Sequence, residues 1–359
     1  MEEKEYKYMV AVRCMTYNQS KYILDALNGF VMQQTNFPYV VMVVDDASTD
    51  GEQEVIRKFV SEQFDTNDTS VAYEKETDYA HITYAQHKTN KNCYIVVLYL
   101  KENHYSQRKP KMPYLAEWRD YVKYEASCEG DDYWIDNQKL QKQVDFLEKH
   151  EEYVMCHTSV DCFYENIHRV INNRDIEINT PLNNNGIVSI EDTLTKYRIQ
   201  YCSVLYRKDI YEQIINSDKM LYKGGYFLMG DTQLWFGFAR IGKIHFEPSV
   251  MAIYRKSVNS ATTQKDPRKR NRFSLSMREM RYYISLHYDI KEEIKKEFQQ
   301  NYEKALIIYW KYDPSFVPKF PIEIKNKRIK TLKYRLDDFI FNIMRKLLAK
   351  SRKMFQKSI

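Results

Sequence analysis

Glycine is scarce in this 359-residue chain, numbering only 9. Neither GxGxxG nor GxxxxGK[ST] occurs, so the two common backbone cradles for nucleotide phosphates are excluded. The six cysteines (Cys14, Cys93, Cys128, Cys156, Cys162, Cys202) form no CxxC pair and no zinc spacing. Several fall in apolar runs, where free cysteine behaves as a small hydrophobe, and a reduced, cytoplasmic chain is the expectation. No run approaches the ~18 apolar residues of a membrane span. The start, Met1-Glu2-Glu3-Lys4-Glu5, is charged where a signal peptide would be apolar. A soluble chain, or one peripheral on the inner face of a membrane, is therefore expected.

What is present suits a large folded core: 43% of residues are hydrophobic, and tyrosine alone contributes 31. The net charge of +6 hides an asymmetry. Residues 265–359 hold 25 Lys+Arg against 11 Asp+Glu, a balance of +14 over a mildly acidic body. Within 325–359 the count is 12 basic to 2 acidic, with Leu332, Leu336, Phe339, Ile340, Ile343 and Leu347 at helical steps. That pattern describes a basic amphipathic helix, suited either to an anionic membrane surface or to packing on the body. No nucleic-acid fold signature accompanies the charge, so nucleic acid is not an expected partner.

Along the chain, Tyr8–Cys14 and Tyr39–Val44 read as buried parallel strands. Each precedes a helical pattern, the first opened by Ser20 with Tyr22, Ile23, Ala26, Leu27 and Phe30 inward, the second carrying Val55, Ile56 and Phe59. This β-α-β-α order predicts a parallel sheet with right-handed crossovers. Residues 65–92 show no clear period and read as an insertion. Cys93–Leu100, Val122–Cys128, Tyr153–Val160 and Gln200–Tyr206 are further strands, with helices from Asp136 and over Asp209–Ile215. Residues 166–186 read as a loop, Lys243–Tyr254 as two short strands around Pro248, and 267–288, 290–310 and 325–357 as long basic helices.

The densest chemistry is Cys128-Glu129-Gly130-Asp131-Asp132-Tyr133-Trp134, with three carboxylates in four residues at the end of a strand. Open α/β sheets bind ligands at that end of their strands. Magnesium typically takes one or two carboxylates plus substrate phosphates, so a metal-diphosphate site is expected, against the alternative of a solvated acidic turn.

Four stretches together resemble family-2 glycosyltransferases, covering roughly residues 8–260. Met15-Thr16-Tyr17-Asn18 and Val43-Val44-Asp45-Asp46-Ala47-Ser48-Thr49-Asp50-Gly51 resemble that family's N-terminal motifs, and Glu129-Gly130-Asp131-Asp132 its DxD region. Gly230-Asp231-Thr232-Gln233-Leu234-Trp235 is similar to the segment that supplies the base. The resemblance implies an inverting enzyme of the α/β GT-A fold, Rossmann-like, with a mostly parallel central sheet, flanking helices and a C-terminal helical extension. It implies a catalytic domain over 1–264, split into a nucleotide-binding half (1–130) and an acceptor half (131–264), with a basic helical region over 265–359.

The resemblance also assigns roles. Asp46 would accept a base N–H such as uracil's, beside Met15 and a stacking Tyr17. Asp131 and Glu129 would hold Mg2+ or Mn2+ on the donor diphosphate, with Asp132 touching the sugar or bracing the loop. Asp231 would be the general base, or a helix N-cap, or both. Trp134 would floor the acceptor pocket or pack in the core, and Arg255 or Lys256 would contact the diphosphate. Many members carry a histidine where Ser257 stands, and serine is a poor ligand for a divalent ion. The donor implied is a nucleoside-diphosphate sugar, a UDP-sugar foremost, and the acceptor a glycan or lipid-linked glycan in surface polysaccharide synthesis. The alternatives are an inactive scaffold or binding subunit of the same fold, and a nucleotidyltransferase, whose glycine-rich loop is missing. For Asp45, Asp46, Ser48 and Asp50 the bland reading is turn and cap chemistry, with Asp50 as N-cap.

Overall fold

The computed structural model describes residues 6–167, 169–171, 189–195, 199–256 and 266–320. The tail helix expected over 325–357, Ser257, and most of the 166–186 stretch lie outside the described residues. The chain divides into two units: Met1–Lys223 with Asp231–Val258, and Gly224–Gly230 with Asn259–Ile359.

The first unit opens as the apolar pattern predicts. Strand β1 (Tyr8–Thr16), helix α1 (Ile23–Val31), strand β2 (Tyr39–Asp45) and helix α2 (Glu52–Gln63) follow in order. Strands β3 (Tyr73–Glu76), β4 (Ala80–Gln86) and β5 (Cys93–Leu100) come next, then a short helix α3 (Ala116–Arg119), β6 (Val122–Ser127), β7 (Tyr133–Trp134) and helix α4 (Lys139–Lys149). The remaining segments are β8 (Tyr153–Tyr164), β9 (Arg169–Ile171), α5 (Ile190–Thr195), β10 (Leu205–Arg207), α6 (Lys208–Ser217), α7 (Lys219–Tyr222), α8 (Thr232–Ile241) and β11 (Lys243–Lys256).

These strands make one mixed sheet in the order β3-β4-β5-β2-β1-β6-β10-β8-β11-β7, with β9 on β8. The centre, β5-β2-β1-β6, is parallel. The flanks bring in antiparallel pairs, β3-β4-β5 at one side and β6-β10-β8 at the other. Alternate side chains of the central strands face opposite sides, as the pleat requires. Val10, Val12, Cys14, Val41 and Val43 pack under Ile23, Leu27, Phe30, Ile56 and Leu140 from the helices of one layer. Ala11, Val40, Met42 and Val44 meet Leu115 and Trp118 on the other side. A third apolar cluster joins Met155, Tyr206 and Ile244 to Ile214, Trp235 and Phe238 of α6 and α8. All six cysteines are buried and none forms a disulfide, as their apolar settings predict.

Several local expectations are corrected. Residues 65–92 are no shapeless insertion: they hold the β3–β4 hairpin, which extends the sheet beyond β5. Its signal was weak because β3 is exposed along its length and so carries no apolar alternation. Gln200–Tyr206 is a 3-10 turn followed by a three-residue strand, where Ser203 Oγ donates to the Gln200 carbonyl. Lys243–Lys256 is one strand parallel to β8, whose register slips between Glu247 and Ala252; Pro248, which has no N–H to give, sits at that irregularity. Helix α1 begins at Ile23 without a side-chain cap, so Ser20 is not its cap, and α4 begins at Lys139, three residues after Asp136.

In the second unit, helices α9 (Pro267–His287) and α10 (Glu292–Trp310) pack through Leu275, Tyr302, Ala305, Leu306 and Tyr309. Asp266 caps α9 by accepting from the Arg268 amide, with Pro267 at the first helical position. Among the described residues, no helix is long and apolar enough to cross a membrane.

Candidate active site

Parallel register aligns the carboxyl ends of the central strands: Thr16 of β1 pairs with Asp45 of β2, and Asp45 with Tyr99 of β5. Strand order runs from β1 through β2 to β5 on one side, then resumes with β6 on the other. The crevice at that reversal is where open α/β sheets bind ligands. Residues 17–22, 46–51, 101–112 and 128–134 gather there.

A buried carboxylate ties the end of β1 and its turn to the turn after β2. Glu52, fully buried at the start of α2, accepts from the Thr16 hydroxyl, from the Gln19 amide at 2.8 Å and from the Ser48 hydroxyl at 2.8 Å. Burial still pushes its carboxyl above the usual glutamate range, against the lowering effect of those bonds. Thr16 Oγ1 also donates to Gln19 Oε1 at 2.8 Å. Gly130 lies directly over this pair: a Cβ there would sit 2.4 Å from Thr16 Oγ1 and 2.5 Å from Gln19 Oε1. The glycine inside the acidic run is thus a close-approach residue.

Around the hub, Asp50 accepts from the Ser20 amide at 3.0 Å and the Glu52 amide at 3.2 Å. Gly51, with φ of 87°, holds the N-cap position of α2 expected of Asp50, but Asp50 does perform end-of-helix hydrogen bonding. Asn18 (φ 55°) and Ala47 (φ 61°) are left-handed, Asn18 bonding across to Ser48 and Thr49. Alanine in that region costs roughly 1–2 kcal/mol.

Each expected site residue can now be located. Met15 is half-buried and its carbonyl accepts from Gly130 N at 3.4 Å, while Tyr17 is 46% exposed at the mouth. Asp46 is buried, and its carboxylate already accepts from the His104 amide (2.8 Å), the Tyr105 amide (3.0 Å) and Lys111 Nζ (2.8 Å). It fastens the 101–112 segment to the strand ends. A carboxylate offers about four acceptor sites, so one remains.

Glu129 presents its side chain to the open cleft but is ringed by protein. That crowding, then the charges of Asp131 and Asp231, pushes its carboxyl up to about 7, with Arg13 and Lys111 pulling the other way. Asp131 is half-buried and likewise raised by burial, offset by Arg255 and Gln19. Asp132 braces the structure: buried, it accepts from the Arg255 amide at 2.8 Å, and burial beside Asp131 holds its carboxyl well above the usual range.

Trp134 is a correction. It is 2% exposed, donates its indole N–H to the Cys202 carbonyl at 2.7 Å, and lies edge-on to Phe30 at 5.0 Å. It belongs to the core and cannot floor an acceptor pocket. Arg255 pairs through Nη2 with Asp25 at 2.7 Å and lies over the Tyr22 ring at 4.6 Å. Lys256 reaches the Tyr164 hydroxyl at 3.4 Å. Asp231 is both the N-cap of α8, accepting from Thr232 N at 2.7 Å, and a carboxyl raised by burial.

Sequence reasoning missed a second buried charge system under the site. Arg13 donates to the hydroxyls of Tyr201 and, at 3.2 Å, Tyr206; Tyr206 in turn donates to Glu125 at 3.1 Å, which pairs with Arg119 at 2.5 Å. The available signal was an arginine in the middle of an apolar strand, which must find partners once buried. Among the described residues, no group of three or more His, Cys, Asp or Glu side chains is arranged to hold a metal ion. The donor set that does exist, Asp131 with Glu129, fits an ion that fills its remaining positions with diphosphate oxygens and water.

Residues 14–79 match the family model of Glycosyl transferase family 2. This segment is similar to that of family-2 glycosyltransferases. It contains Met15, Tyr17, Asp46 and Glu52, the first two turns of the site. Uncharacterized proteins of Mycobacterium bovis and Mycobacterium tuberculosis are 29% identical over 252 residues, 69% of this chain and 58% of theirs. The chain thus spans less than two thirds of the length of these relatives. Among solved structures, S. aureus TarS residues 1–349 in complex with UDP is 16% identical with a TM-score of 0.45, covering 86% of this chain and 73% of that one. A mannosyltransferase from Pyrobaculum calidifontis in complex with GDP-Man and Mn2+ is 13% identical with a TM-score of 0.48, covering 87% and 77%. At those values neither structure assigns this chain a donor or a metal.

The Gly130 contact yields a direct expectation. Gly130→Ala forces Thr16 and Gln19 apart and lowers unfolding stability by about 1–3 kcal/mol, the usual cost of an overpacked methyl. Urea denaturation reads this as a lower midpoint at constant m-value; an unchanged midpoint would mean that the turn opens without cost.

Proposed function

We propose that this protein is an inverting, metal-dependent glycosyltransferase. It moves a sugar from a nucleoside-diphosphate sugar, a UDP-sugar foremost, to a hydroxyl of a glycan or lipid-linked acceptor in surface polysaccharide synthesis. One observation carries the reading: Glu129 lies close enough to both Asp131 and Asp231, a hundred residues further along the chain, for their charges to push its carboxyl up. The acceptor oxygen attacks the anomeric carbon from the face opposite the nucleotide while Asp231 takes its proton. The new C–O bond forms as the bond to the diphosphate breaks, and the diphosphate leaves with the electron pair. A base with a raised pKa is closer to the operating pH and so better matched to that step. The remaining acceptor site on Asp46 suits an imide N–H such as uracil's, with Tyr17 exposed for stacking. Asp131 and Glu129 would hold Mg2+ or Mn2+, which when bound neutralises charge on the leaving diphosphate.

A second reading, a binding subunit without turnover, is favoured by the occupancy of Asp46, three of whose acceptor sites are already filled. It differs in outcome: nucleotide raises the melting temperature, yet no donor is consumed.

Three tests bear on the first reading. Asp231→Asn keeps an oxygen to cap α8 but no base, so folding is retained and turnover of donor falls about 10²–10⁴-fold; full activity in that variant would overturn the role. Because a metal ligand must be deprotonated, Mn2+ affinity weakens as pH falls through about 7, where Glu129 takes up its proton. Calorimetric Mn2+ titration between pH 6 and pH 8 reads this, and Glu129→Gln removes the dependence; an affinity flat with pH would exclude Glu129 as ligand.

The basic tail over 325–359 suits an anionic leaflet carrying a lipid-linked acceptor. The protein is expected to sediment with phosphatidylserine vesicles, and replacing Lys346, Lys350 and Arg352 by glutamine weakens binding on the order of a hundredfold at ~1 kcal/mol per charge. Equal binding to neutral phosphatidylcholine vesicles would remove the anionic-surface role.

A further inference from the structure

Helix α2 serves two different neighbourhoods. Glu52 at its start bonds to the turns after β1 and β2. Gln53 and Arg57, four residues apart and so on one face of the helix, instead line a cavity of about 470 Å³ together with His81, Tyr99 and Lys101. This cavity lies on the α2 side of the sheet: Tyr99 packs in the same apolar cluster as Val41, Val43 and Ile56, and Asp45 accepts from Gln53 Nε2 at 2.6 Å. Asp46, the next residue, bonds to His104, Tyr105 and Lys111 of the crevice, so the two adjacent carboxylates serve opposite sides of the strand end.

Arg57 sets the chemistry of the cavity. Its guanidinium carbon lies 3.8 Å from the centre of the buried Tyr99 ring, and among the described residues it forms no hydrogen bond or ion pair. Stacking holds the side chain and leaves its planar fork of donors unclaimed, and that fork matches two oxygens of a phosphate. The other basic groups of the cavity already have partners. Lys101 Nζ is 2.6 Å from Glu76 Oε1, while His81 stands 3.0 Å from Glu76 through Nδ1 and 3.9 Å from Glu74 through Nε2. The two acids are thus engaged by Lys101 and His81, and the charge of Arg57 is left uncompensated. A carboxylate offers about four acceptor sites, so Glu76 has room for a hydroxyl of a ligand.

We propose that this cavity is a second ligand site, outside the catalytic crevice, for a phosphorylated sugar. Arg57 takes the phosphate, and Glu76, bridging Lys101 and His81, accepts from a sugar hydroxyl. The site does not rest on the transferase reading, since none of its residues belongs to the proposed donor, metal or base machinery.

Calorimetry without divalent metal reads the binding, with inorganic phosphate, glucose 6-phosphate and glucose as probes. Glucose 6-phosphate is expected to bind more tightly than phosphate, and glucose not measurably. Arg57→Gln weakens glucose 6-phosphate binding about tenfold or more, the scale of one charge-assisted contact. The same variant keeps the wild-type thermal shift with UDP and Mn2+, and Lys111→Gln, in the crevice, keeps wild-type glucose 6-phosphate binding. Undiminished binding in Arg57→Gln overturns the proposal, as does loss of binding in Lys111→Gln, which would put the anion in the crevice. Failure of both phosphates to bind also overturns it and reduces Arg57 to a cover over Tyr99. Equal affinity for the two phosphates removes the sugar from the proposal. Should Arg57→Gln fail to fold, Lys101→Gln decides: it turns the Glu76 charge on the ligand and is expected to weaken binding in the same direction. A missing UDP shift in the wild type counts against the transferase reading alone and leaves these outcomes as they stand.

Discussion

Everything at the mouth of the sheet depends on the hydrogen bonds received by one buried carboxylate, Glu52. Its three donors come from the turn after β1 and the turn after β2, so a single side chain sets the spacing of two loops that carry different parts of the site. Gly130 then rests on two of the residues so ordered, Thr16 and Gln19, which places the acidic run by contact with the first turn. A charge in that position costs desolvation energy. The fold tolerates the cost because the three bonds to Glu52 replace much of the lost hydration, against the like charge of nearby Asp45.

Below this hub a second polar system, Arg13 with Tyr201, Tyr206, Glu125 and Arg119, crosses from β1 to β6 and β10. It supplies positive potential beneath Glu129, which lowers the cost of collecting Glu129, Asp131 and Asp231 in one crevice. Removing one member of a buried pair generally costs about 3–5 kcal/mol, because the other charge is stranded. The site is therefore built on two layers: loops fixed from above by an anion, and a strand arginine offsetting repulsion from below.

How much of this was legible in the sequence varies with the physics of each element. The central strands were plain, because Val10, Val12, Val41 and Val43 are buried on one sheet face and Ala11, Val40, Met42 and Val44 on the other, so the strands read as continuous apolar runs. The β3–β4 hairpin was not, since an exposed edge strand carries no alternation to detect. Two of the four motif stretches lie within residues 14–79, which match the family model that they resemble. Side-chain roles were less readable. Trp134 lies two residues after Asp132 and Asp231 directly after Gly230, yet one faces the core through its bond to Cys202 and the other stands at the start of α8. Nothing local distinguishes those fates. Glu52 escaped notice because a glutamate in the first turn of a helix is ordinarily a solvated partner of the helix dipole.

The six thiols have a consequence for how the molecule can be watched. Every one is buried, and burial pushes Cys14 and Cys128 well above the ordinary thiol range, so the reactive thiolate is all but absent from the native state. An alkylating dye therefore modifies the chain only through opening events, and the rate at each cysteine becomes a local clock. Cys14, Cys93 and Cys156 report on β1, β5 and β8, while Cys128 and Cys202 report on the two loops that flank Trp134. Comparing those clocks would show whether the sheet opens as one body or comes apart from its β8 side first, without a single label being engineered.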